Sequence, residues 1–408
     1  MKLPFWPNPQ GYRDIKFGLN RCYELLERLG NPHLKLAPTI HIAGTNGKGS
    51  TLAFLKAIFT EAGLRVHSYT SPHLVNFNER INLAGVDISD DFLNEILAEC
   101  KTAAELDSPI AVTFFEGTTI AAFLAFSRIE ADVVLLETGM GGRLDATNVL
   151  PEVLCSIITP ISFDHEEFLG NTLTKIAAEK AGIIKKNCPI VISKQNPEAL
   201  EVIKNKAAEL NSAIFLTDEF EDKFDQFDLS NLSLAGSYQK QNAAAAVTAI
   251  KAQRIFKISD DEINRGLGKA FWPARLQKIT QKKLPNNCEL YLDGSHNPQG
   301  AETILDFLES KKLAKVFVIF SMLKDKNCDQ FLKIISRKID HLIALEIPDE
   351  PKSRSVEEIL KIAHNHQIRS SAAENFDDAL MKIKCEEPHL ILICGSLYLA
   401  GKFLETLN

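Results

Sequence analysis

The residues best suited to chemistry lie in one glycine-rich stretch near the N-terminus, HIAGTNGKGST at positions 41–51. Its glycines let backbone N–H groups turn towards one point, and Lys48 adds a positive charge there, which is how proteins commonly bind nucleotide phosphates. The usual form of such a loop has a hydroxyl directly after the lysine, whereas Gly49 separates Lys48 from Ser50 here. The stretch indicates either a nucleotide site with altered metal ligation or a glycine-rich turn that carries a lysine.

The segments on both sides of this loop have the periodicity that a phosphate site requires. TIHIA (39–43) is β-branched and apolar, as in a buried strand, and STLAFLKAIFTEAG (50–63) has helical spacing that ends at a glycine. A helix that begins behind the glycines offers its N-terminal N–H groups to a phosphate. This context favours the nucleotide site over a surface turn.

Three polar residues follow further predicted strands and are candidates for holding Mg²⁺. Glu137 ends ADVVLLE, Ser71 follows LRVHSYT, and His165 lies beyond VLCSIIT. Open α/β sheets collect ligands at the carboxyl ends of their strands, where a carboxylate can hold Mg²⁺ beside phosphates. Each residue also has a structural interpretation, as a strand-end glutamate, a turn serine or a hydrogen-bonding histidine, and imidazole is not the ligand that Mg²⁺ prefers.

The apolar runs predict an α/β protein with two domains. At 408 residues the chain exceeds the size at which one hydrophobic core usually stops growing. Short runs from TIHIA to CPIVIS are typical of a mainly parallel sheet in a P-loop ATPase-type domain, and the alternation from CELYLD to HLILICG predicts a smaller Rossmann-like sheet. We expect domains at 1–274 and 288–408, joined by a polar linker at 275–287.

Composition excludes several classes of protein. The formal net charge is −7, without the clustered Lys and Arg that nucleic acid or an anionic membrane requires. The 8 cysteines are scattered with no C-x-x-C pair, so we expect buried, reduced thiols. MKLPFWPNPQ at the start of the sequence carries prolines where a signal peptide would need an apolar run, and no stretch approaches the roughly 18 apolar residues of a membrane span. We expect a cytoplasmic protein with no nucleic-acid or membrane partner, and a monomer by default.

A series of motifs spread along the chain resembles one known family. GTNGKGS, TSPHLVNFNERI, TFFE, LETGMGGRLDATN, FDH, EKAGI, YQKQNAAAA, PARLQ and LDGSHNPQGA occur in this order. Together they closely resemble folylpolyglutamate synthase, including its bacterial dihydrofolate synthase form, which is a branch of the Mur-ligase type of ATP-dependent amide ligases. The resemblance extends from Gly18 to CGSLYLAG at Cys394. GTNGKGS is the form of the loop that this branch carries.

The resemblance implies a set of metal, catalytic and nucleotide residues. It implies ATP, Mg²⁺ at two sites and stimulation by K⁺, with Ser71, Glu137 and His165 around the metal. Lys180 matches a lysine that the family carries as a carbamate, N6-carboxylysine, which is a long carboxylate able to serve a metal site. Lys48, His165 and Lys180 are the implied catalytic residues. The implied ATP contacts are Thr45, Asn46, Gly47, Lys48, Gly49, Ser50, Asn242, Arg275, Asp293 and His296.

Some of these implied ATP contacts lie in the second half of the chain. LYLD is expected to be the first strand of the second domain, so Asp293 would emerge at its carboxyl end and face the phosphate loop across a cleft. ATP would then bind between the domains. Arg275, on the predicted linker, would engage the γ phosphate only when the domains close.

For a pterin substrate the resemblance implies a further set of contacts. An aromatic face suits a flat heterocycle, and a carboxylate can accept paired N–H donors from it. Core packing is the alternative interpretation of each aromatic residue. Within GLNR the chain has Asn20 where many relatives carry Glu. The implied pterin contacts are Phe17, Arg80, Thr113, Phe115 and Asp145.

The chemistry that the resemblance implies is carboxylate activation followed by amide formation. ATP would convert the substrate carboxylate into an acyl phosphate, and the amine of L-glutamate would then displace phosphate. Dihydropteroate would give dihydrofolate, and reduced folates would gain glutamates; we expect one enzyme to do both.

Two rival interpretations account for parts of the pattern. A cell-wall amino-acid ligase shares the loop, but such enzymes carry a substantial UDP-binding domain ahead of it, and only 43 residues precede Gly44. A nucleotide-dependent switch also uses a phosphate loop, but the nearest string to N-K-x-D, NKAA at Asn205, lacks the aspartate. A switch has no evident use for Asp293 and His296.

Overall fold

The chain divides into two compact units in a computed structural model. Unit 1 comprises residues 1–233 and 240–271, and unit 2 comprises residues 234–239 and 272–408. The expected linker, 275–287, thus begins inside unit 2, and the functional extents of the two domains stay a prediction. The residues that the structure describes are 3–8, 18–218, 227–229, 231–280, 287–311 and 315–407.

Unit 1 is built on one sheet. Its strands are β1 (Thr39–Ala43), β2 (Val66–Tyr69), β3 (Ile81–Leu83), β4 (Val86–Asp87), β5 (Val133–Glu137), β6 (Cys155–Ile158), β7 (Ile190–Ile192) and β8 (Ile214–Leu216). The order across the sheet is β4-β3-β2-β5-β1-β6-β7-β8. The pairs from β2 to β8 are parallel, whereas β3 and β4 extend the other edge with antiparallel pairs.

The helices of this part of the chain mostly begin at side chains that cap them. They are α1 (Asn20–Arg28), α2 (Lys48–Glu61), α3 (Asp90–Glu105), α4 (Phe114–Arg128), α5 (Glu166–Leu169), α6 (Leu173–Ala181), α7 (Pro197–Glu209), α8 (Gln239–Ala252) and α9 (Asp260–Leu267). Ser89, Thr172 and Ser259 accept backbone N–H groups at the starts of α3, α6 and α9. α2 differs, because it begins behind Gly47 with no side-chain cap.

The register of the strands brings four strand ends to one edge of this sheet. Ile42 in β1 pairs with Glu137 in β5, Ala43 pairs with Ile158 in β6, and Tyr69 in β2 lies level with Leu136. The segments that follow β1, β2, β5 and β6 therefore leave the sheet side by side. β1 and β5 are buried at every residue, as expected of parallel strands covered on both faces.

Unit 2 has a second sheet. Its strands are β9 (Gln277–Ile279), β10 (Cys288–Leu292), β11 (Lys315–Phe320), β12 (His341–Ala344), β13 (Ser370–Ala372) and β14 (His389–Cys394). The order is β13-β12-β11-β14-β10-β9, and all pairs are parallel except β9 with β10. The helices are α10 (Pro298–Ser310), α11 (Cys328–Ile335), α12 (Val356–Asn365), α13 (Phe376–Met381) and α14 (Leu397–Glu405).

The α/β class with two mainly parallel sheets is confirmed, and two local expectations need correction. LYLD is not the first strand of the second sheet, because β9 precedes it inside the expected linker and forms an antiparallel edge. This strand is three residues long and polar at two of them, so it carries no apolar signal. α2 starts at Lys48 rather than Ser50, since Gly47, with φ of 92°, allows the chain to enter the helix directly.

A membrane-spanning segment was not expected. Among the helices of the described residues, none combines the length and hydropathy needed to cross a bilayer.

The close contact between α2 and α9 gives a first prediction. A Cβ atom added at Gly266 would lie 2.5 Å from the Ile58 Cα atom, so the backbones of the two helices would have to separate. We expect Gly266→Ala to lower the free energy of unfolding by about 1–3 kcal/mol, measured by urea denaturation followed by circular dichroism. Gly268→Ala is the control, because its nearest neighbour is 3.7 Å away. Equal unfolding midpoints for the two variants would contradict the prediction.

Candidate active site

The glycine loop depends on two glycines in left-handed conformations. Gly44 has φ of 150°, and a Cβ there would lie 1.8 Å from the Thr159 Oγ1 atom. Gly47 has φ of 92°, and a Cβ there would lie 2.4 Å from the Asn242 Oδ1 atom. Both positions therefore require glycine for conformation and for space. The second contact also places Asn242, a buried residue of α8, directly beside the loop.

The loop is held against the segment that follows β6. The backbone N–H groups of Thr45 and Asn46 both donate to the Pro160 carbonyl, at 3.0 and 3.3 Å. The Thr45 hydroxyl donates to the Ser162 carbonyl and accepts the Ser162 N–H, each at 3.0 Å. Thr45 is thus committed to anchoring the loop, and its N–H would have to leave Pro160 to contact a phosphate.

Gln195 supports the segment that follows β6, and the sequence analysis did not predict this role. Its side-chain oxygen accepts the Ile161 N–H at 3.0 Å, and its amide nitrogen donates to the Thr159 carbonyl at 3.0 Å. A glutamine side chain can donate and accept hydrogen bonds at once, so Gln195 pairs with both an N–H group and a carbonyl group of the segment. Since Gln195 lies far from the loop in sequence, no local pattern marks it.

Lys48 and Glu137 are brought together at the sheet edge. The Lys48 ammonium donates to the Gly44 and Thr45 carbonyls, each at 3.2 Å. It also lies 3.9 Å from the Glu137 Oε1 atom, and that carboxylate is buried at the end of β5. A cation beside a buried carboxylate at the mouth of a glycine loop is suited to a phosphate–metal complex, in which each would meet the opposite charge.

Lys180 reaches the same loop from α6. It is buried, and its ammonium nitrogen donates to the Gly44 carbonyl at 2.8 Å, so two lysines share one acceptor. Burial, and after it the charge of Lys48, lower the pKa of Lys180 to about 7. A lysine in this state is partly neutral near pH 7, which an ordinary surface lysine is not.

Ser71, another expected metal ligand, follows β2 at the same sheet edge, and His165, the third, lies on the segment between β6 and α5. Ser71 is half-buried directly after β2. His165 is exposed, precedes α5 with φ of 52°, and its Nε2 atom lies 3.8 Å from the Asp164 Oδ2 atom. No group of three or more His, Cys, Asp or Glu side chains is arranged for a metal ion within the described residues. Mg²⁺ needs no such cage, since it usually takes one or two carboxylates with water and phosphates.

Arg80 belongs to a buried polar pair that the sequence did not reveal. Its Nε–H donates to the His73 Nδ1 atom at 2.8 Å, and its guanidinium lies 5.2 Å from the centre of the Phe77 ring. Burial and the Arg80 charge lower the pKa of His73 to about 3, so the ring is neutral and carries its proton on Nε2. His73 lies two residues beyond Ser71. Arg80, an expected pterin contact, is therefore bonded to the segment that carries Ser71, an expected metal ligand.

Thr113 and Phe115 lie at the start of α4. The Thr113 hydroxyl accepts the Glu116 N–H and the Glu116 carboxylate accepts the Thr113 N–H, which is a capping box. Arg21 donates two hydrogen bonds to the same carboxylate, at 3.1 and 2.6 Å. The Phe115 ring is half-buried against Gly139, where an added Cβ would lie 2.3 Å from the ring. Phe17, the remaining aromatic position, lies outside the described residues.

Asp145 is buried and engaged by the protein. Its Oδ1 atom accepts the Thr147 N–H at 3.0 Å and the Thr147 hydroxyl at 2.6 Å, and its Oδ2 atom accepts the Met140 N–H at 2.8 Å. A carboxylate oxygen has two acceptor positions, so Oδ1 is fully used. Paired N–H donors from a ligand, which the sequence interpretation expects, would have to share Oδ2.

In unit 2, Asp293 holds the segment that carries Arg275. Its Oδ2 atom accepts the Leu276 N–H and its Oδ1 atom accepts the Ser295 N–H, both at 2.8 Å. Ala274 and Leu276, on either side of Arg275, have φ of 54° and 45°. Left-handed conformations are strained for such residues, so the Asp293 carboxylate stabilises a backbone that would not hold itself.

Further hydrogen bonds join the segment around Arg275 to the segment that follows β10. Gly294 N–H donates to the Ala274 carbonyl at 2.9 Å, the Ala274 N–H donates to the Gln277 side chain at 3.0 Å, and the His296 Nδ1 atom lies 2.9 Å from the Gly294 carbonyl. These hydrogen bonds place Arg275, Asp293 and His296 on two adjoining segments of unit 2. Gln277 is a supporting residue that the sequence analysis missed, because it lies in the expected linker.

Comparison with known proteins places the chain in a class. Residues 42–250 match the model of the Mur ligase middle domain, and residues 275–406 match the model of the dihydrofolate synthetase C-terminal domain. The chain is 36% identical to dihydrofolate synthase/folylpolyglutamate synthase of Bacillus subtilis, over 97% of this chain and 96% of that protein. The class defined by the fold and these matches is that of the Mur-type ATP-dependent ligases.

Comparison with solved structures narrows this class to one family. FolC of E. coli in complex with DHPP and ADP has a TM-score of 0.84 and 29% identity, covering 96% of this chain and 94% of that one. Bifunctional folylpolyglutamate synthase/dihydrofolate synthase of Yersinia pestis, complexed with AMPPNP and Mn ion, has a TM-score of 0.84 and 28% identity over the same shares. The chain belongs to the dihydrofolate synthase/folylpolyglutamate synthase family. It is an ATP-dependent acid–amino-acid ligase.

The burial of Lys180 predicts how stability depends on pH. Its pKa in the folded state is lowered to about 7, so the cost of burying the ammonium is complete below about pH 7 and falls as the pH rises towards the ordinary value of 10.5. In CO₂-free buffer we expect Lys180→Met to be more stable than the wild type at neutral pH. The difference should shrink by at most about 1.4 kcal/mol per pH unit above pH 7, measured by urea denaturation.

Lys175→Met is the matched control for this measurement, because that side chain is exposed on the same helix. Its difference in stability from the wild type should not change over the same range of pH. A Lys180→Met difference that is constant from about pH 7 to about pH 10 would rule out a lowered pKa.

Proposed function

We propose that this ligase joins L-glutamate to dihydropteroate, giving dihydrofolate, and also adds glutamates to reduced folates. The observation that carries the proposal is the group at the Gly44 loop: Lys48 lies 3.9 Å from Glu137, and Lys180 donates to the Gly44 carbonyl that Lys48 also contacts. The family relationship supplies the substrate class, and this group supplies the cations and the carboxylate that transfer of a phosphoryl group requires.

The nucleotide contacts are proposed from the loop outwards. The loop would hold the phosphates of ATP through Lys48 and the N–H groups at the uncapped start of α2, with Asn242 beside Gly47. Arg275, Asp293 and His296 of unit 2 are assigned to the same nucleotide on the resemblance alone. The full proposed set of loop residues is Thr45, Asn46, Gly47, Lys48, Gly49 and Ser50.

The donor set fits a divalent cation, and the related structure from Yersinia pestis is complexed with Mn ion. Glu137 is a buried carboxylate and Ser71 a half-buried hydroxyl at one sheet edge, and both are hard oxygen donors of the kind Mg²⁺ takes. His165 completes the proposed set. Bound there, Mg²⁺ would neutralise phosphate charge. Two magnesium sites and stimulation by K⁺ belong to the proposal on the resemblance.

The first chemical step is activation of the substrate carboxylate. A carboxylate oxygen attacks the γ phosphorus of ATP, the bond from that phosphorus to the bridging oxygen breaks, and ADP leaves with the electron pair. Lys48 would stabilise the charge that spreads over the transferring group. The product is an acyl phosphate, whose carbonyl carbon is a far better electrophile than that of a carboxylate.

The second step forms the amide. The neutral amine of L-glutamate attacks the acyl carbon, the tetrahedral intermediate loses a proton from nitrogen, and the carbon–oxygen bond breaks to release phosphate. The protein's contribution is alignment and fixed charge, together with exclusion of water from the acyl phosphate. The pterin would be recognised by Phe17, Arg80, Thr113, Phe115 and Asp145.

Lys180 is proposed to act as a carbamate. A protonated lysine first loses a proton, and the neutral amine then adds to CO₂, forming a nitrogen–carbon bond and releasing a second proton. The product carries a negative charge where the ammonium carried a positive one. The lowered pKa of Lys180 leaves amine in the neutral form near pH 7. The change would replace two neighbouring cations at Gly44 with an opposite pair, which favours the modification. A monomeric state and a cytoplasmic location complete the proposal.

The bifunctional activity is tested by release of ADP from ATP and L-glutamate. We expect release with dihydropteroate and with tetrahydrofolate, because one loop activates either carboxylate, and none with a UDP-linked muramyl substrate. Release that does not depend on glutamate would indicate a nucleotide switch instead. Release with tetrahydrofolate and never with dihydropteroate would remove the synthase half of the proposal. Lys48→Met should lose activity with both substrates.

The carbamate is tested by NMR with ¹³C-labelled CO₂. We expect one protected carbamate resonance in the wild type, because only a buried neutral amine combines reactivity with protection from solvent. Lys175→Met should keep the resonance and Lys180→Met should lose it. A resonance that survives in Lys180→Met, or none in the wild type at saturating bicarbonate, would exclude the modification of Lys180.

A further inference from the structure

His41 and Thr147 have no role in the proposed chemistry, but they form a buried polar chain that ends at Asp145. His41, in the middle of β1, is fully buried, and its Nε2 atom lies 2.8 Å from the Thr147 hydroxyl oxygen. The same hydroxyl lies 2.6 Å from the Asp145 Oδ1 atom. We refer to these residues as the His41–Thr147–Asp145 chain. It connects the strand that leads into the glycine loop with the segment that follows β5.

The direction of the hydrogen bonds is fixed by the number of protons. An ionised carboxylate only accepts, so the single hydroxyl proton of Thr147 points to Asp145. The Thr147 oxygen must then accept a proton from His41, which places the His41 proton on Nε2. Nδ1 of His41 is left as a bare acceptor, buried and without a partner among the described residues. Burial lowers the pKa of His41 to about 3, and Lys185 adds to this, so the ring is a neutral donor.

This arrangement is not the one that packing alone would select. A buried ring nitrogen without a partner costs free energy, and an aliphatic residue in β1 would avoid that cost. The neighbours of His41 in the sheet are Leu136 in β5 and Ser156 in β6, and neither forms a hydrogen bond with Nδ1. The polar ring therefore has a use at its other end, where it orients the Thr147 hydroxyl.

The carboxylate at the end of the chain is the one assigned to the pterin. Thr147 occupies both acceptor positions of Oδ1, through its N–H and its hydroxyl, and this leaves Oδ2, which also accepts the Met140 N–H, as the oxygen that can meet a ligand. Burial raises the pKa of Asp145, whereas hydrogen bonds from Thr147, Met140 and Gly139 act in the opposite direction. An ionised Asp145 thus depends on its donors.

We propose that Thr147 and His41 are positioning residues for the pterin substrate, which fix the Asp145 carboxylate through Oδ1 so that Oδ2 and the segment around it meet the ligand in one orientation. This inference rests on the proposed function, since it takes the ligand to be a pterin. Neither residue touches the reacting atoms. Their effect should appear in recognition of the pterin and not in recognition of ATP.

Other ionisable groups also face this carboxylate and bear on its titration. The charge of Asp145 acts to raise the pKa of Lys180 on α6, of Cys22 on α1 and of Tyr69 on β2. Only Lys180 changes charge near neutral pH. The experiment below therefore compares variants at fixed bicarbonate, so that the state of Lys180 is the same in each.

The test compares Thr147→Val, which keeps the shape and loses the hydroxyl, with Thr147→Ser, which keeps the hydroxyl. We expect Thr147→Val to raise the KM for dihydropteroate about tenfold or more, with the KM for ATP within about twofold of wild type. Thr147→Ser should stay within about threefold for both. In Thr147→Val the acid limb of kcat/KM for dihydropteroate should move to higher pH, because the carboxylate loses a donor and its pKa rises.

Two outcomes of this comparison overturn the proposal: Thr147→Ser as defective as Thr147→Val, or both KM values rising together with an unmoved acid limb. A second measurement needs no activity. In ¹⁵N-histidine spectra, assigned with His41→Gln, we expect His41 to carry its proton on Nε2 with no titration from about pH 5.5 to about pH 8.5. A proton on Nδ1, or titration in that range, would overturn the chain even if the wild type turned over no pterin and the proposed function had failed.

Discussion

The carbonyl oxygen of Gly44 is the point on which the candidate site of unit 1 depends. Lys48 from the start of α2 and Lys180 from α6 both donate to it, at 3.2 and 2.8 Å. Burial, and after it the charge of Lys48, lower the pKa of Lys180 to about 7, so Lys180 is partly neutral near pH 7. The conformation of Gly44, tight against Thr159, is what turns its carbonyl towards both lysines.

Around the Gly44 carbonyl, the side chains placed to meet a ligand are different from the residues that support the loop. Lys48 and Glu137 lie at strand ends, where the parallel register of β1 and β5 sets their spacing. Pro160 and Gln195 support the loop, and neither carries charge. Neutral supports leave the electrostatic field of the site to the few charged residues, and this suits chemistry in which anionic groups are brought together.

Sequence patterns predicted the site residues that follow strands, and missed most of the residues that support them. TIHIA became β1 without a shift, and CELYLD and HLILICG became β10 and β14 with only their last residue left out, because continuous apolar runs between turn residues identify buried parallel strands. Gln195 could not be found in this way, since its partners lie 34 and 36 residues away in the chain and only the tertiary fold brings them near. His73 and Gln277 have nearer partners, Arg80 and Ala274, but they lie in segments with no apolar periodicity that would mark them. β9 was missed for a related reason, because a short edge strand is held by its neighbour's backbone and needs no apolar side chains.

The left-handed conformations of Ala274 and Leu276 determine the direction in which Arg275 leaves the backbone. Each such residue costs of order 1–3 kcal/mol, so the two together exceed what a short free segment could retain. The geometry exists only while Asp293, at the end of β10, accepts the Leu276 N–H. A fragment cut before β10 would still contain Arg275 but would lack the Asp293 carboxylate that fixes the backbone around it, so the direction of the guanidinium depends on a strand that follows it in the chain.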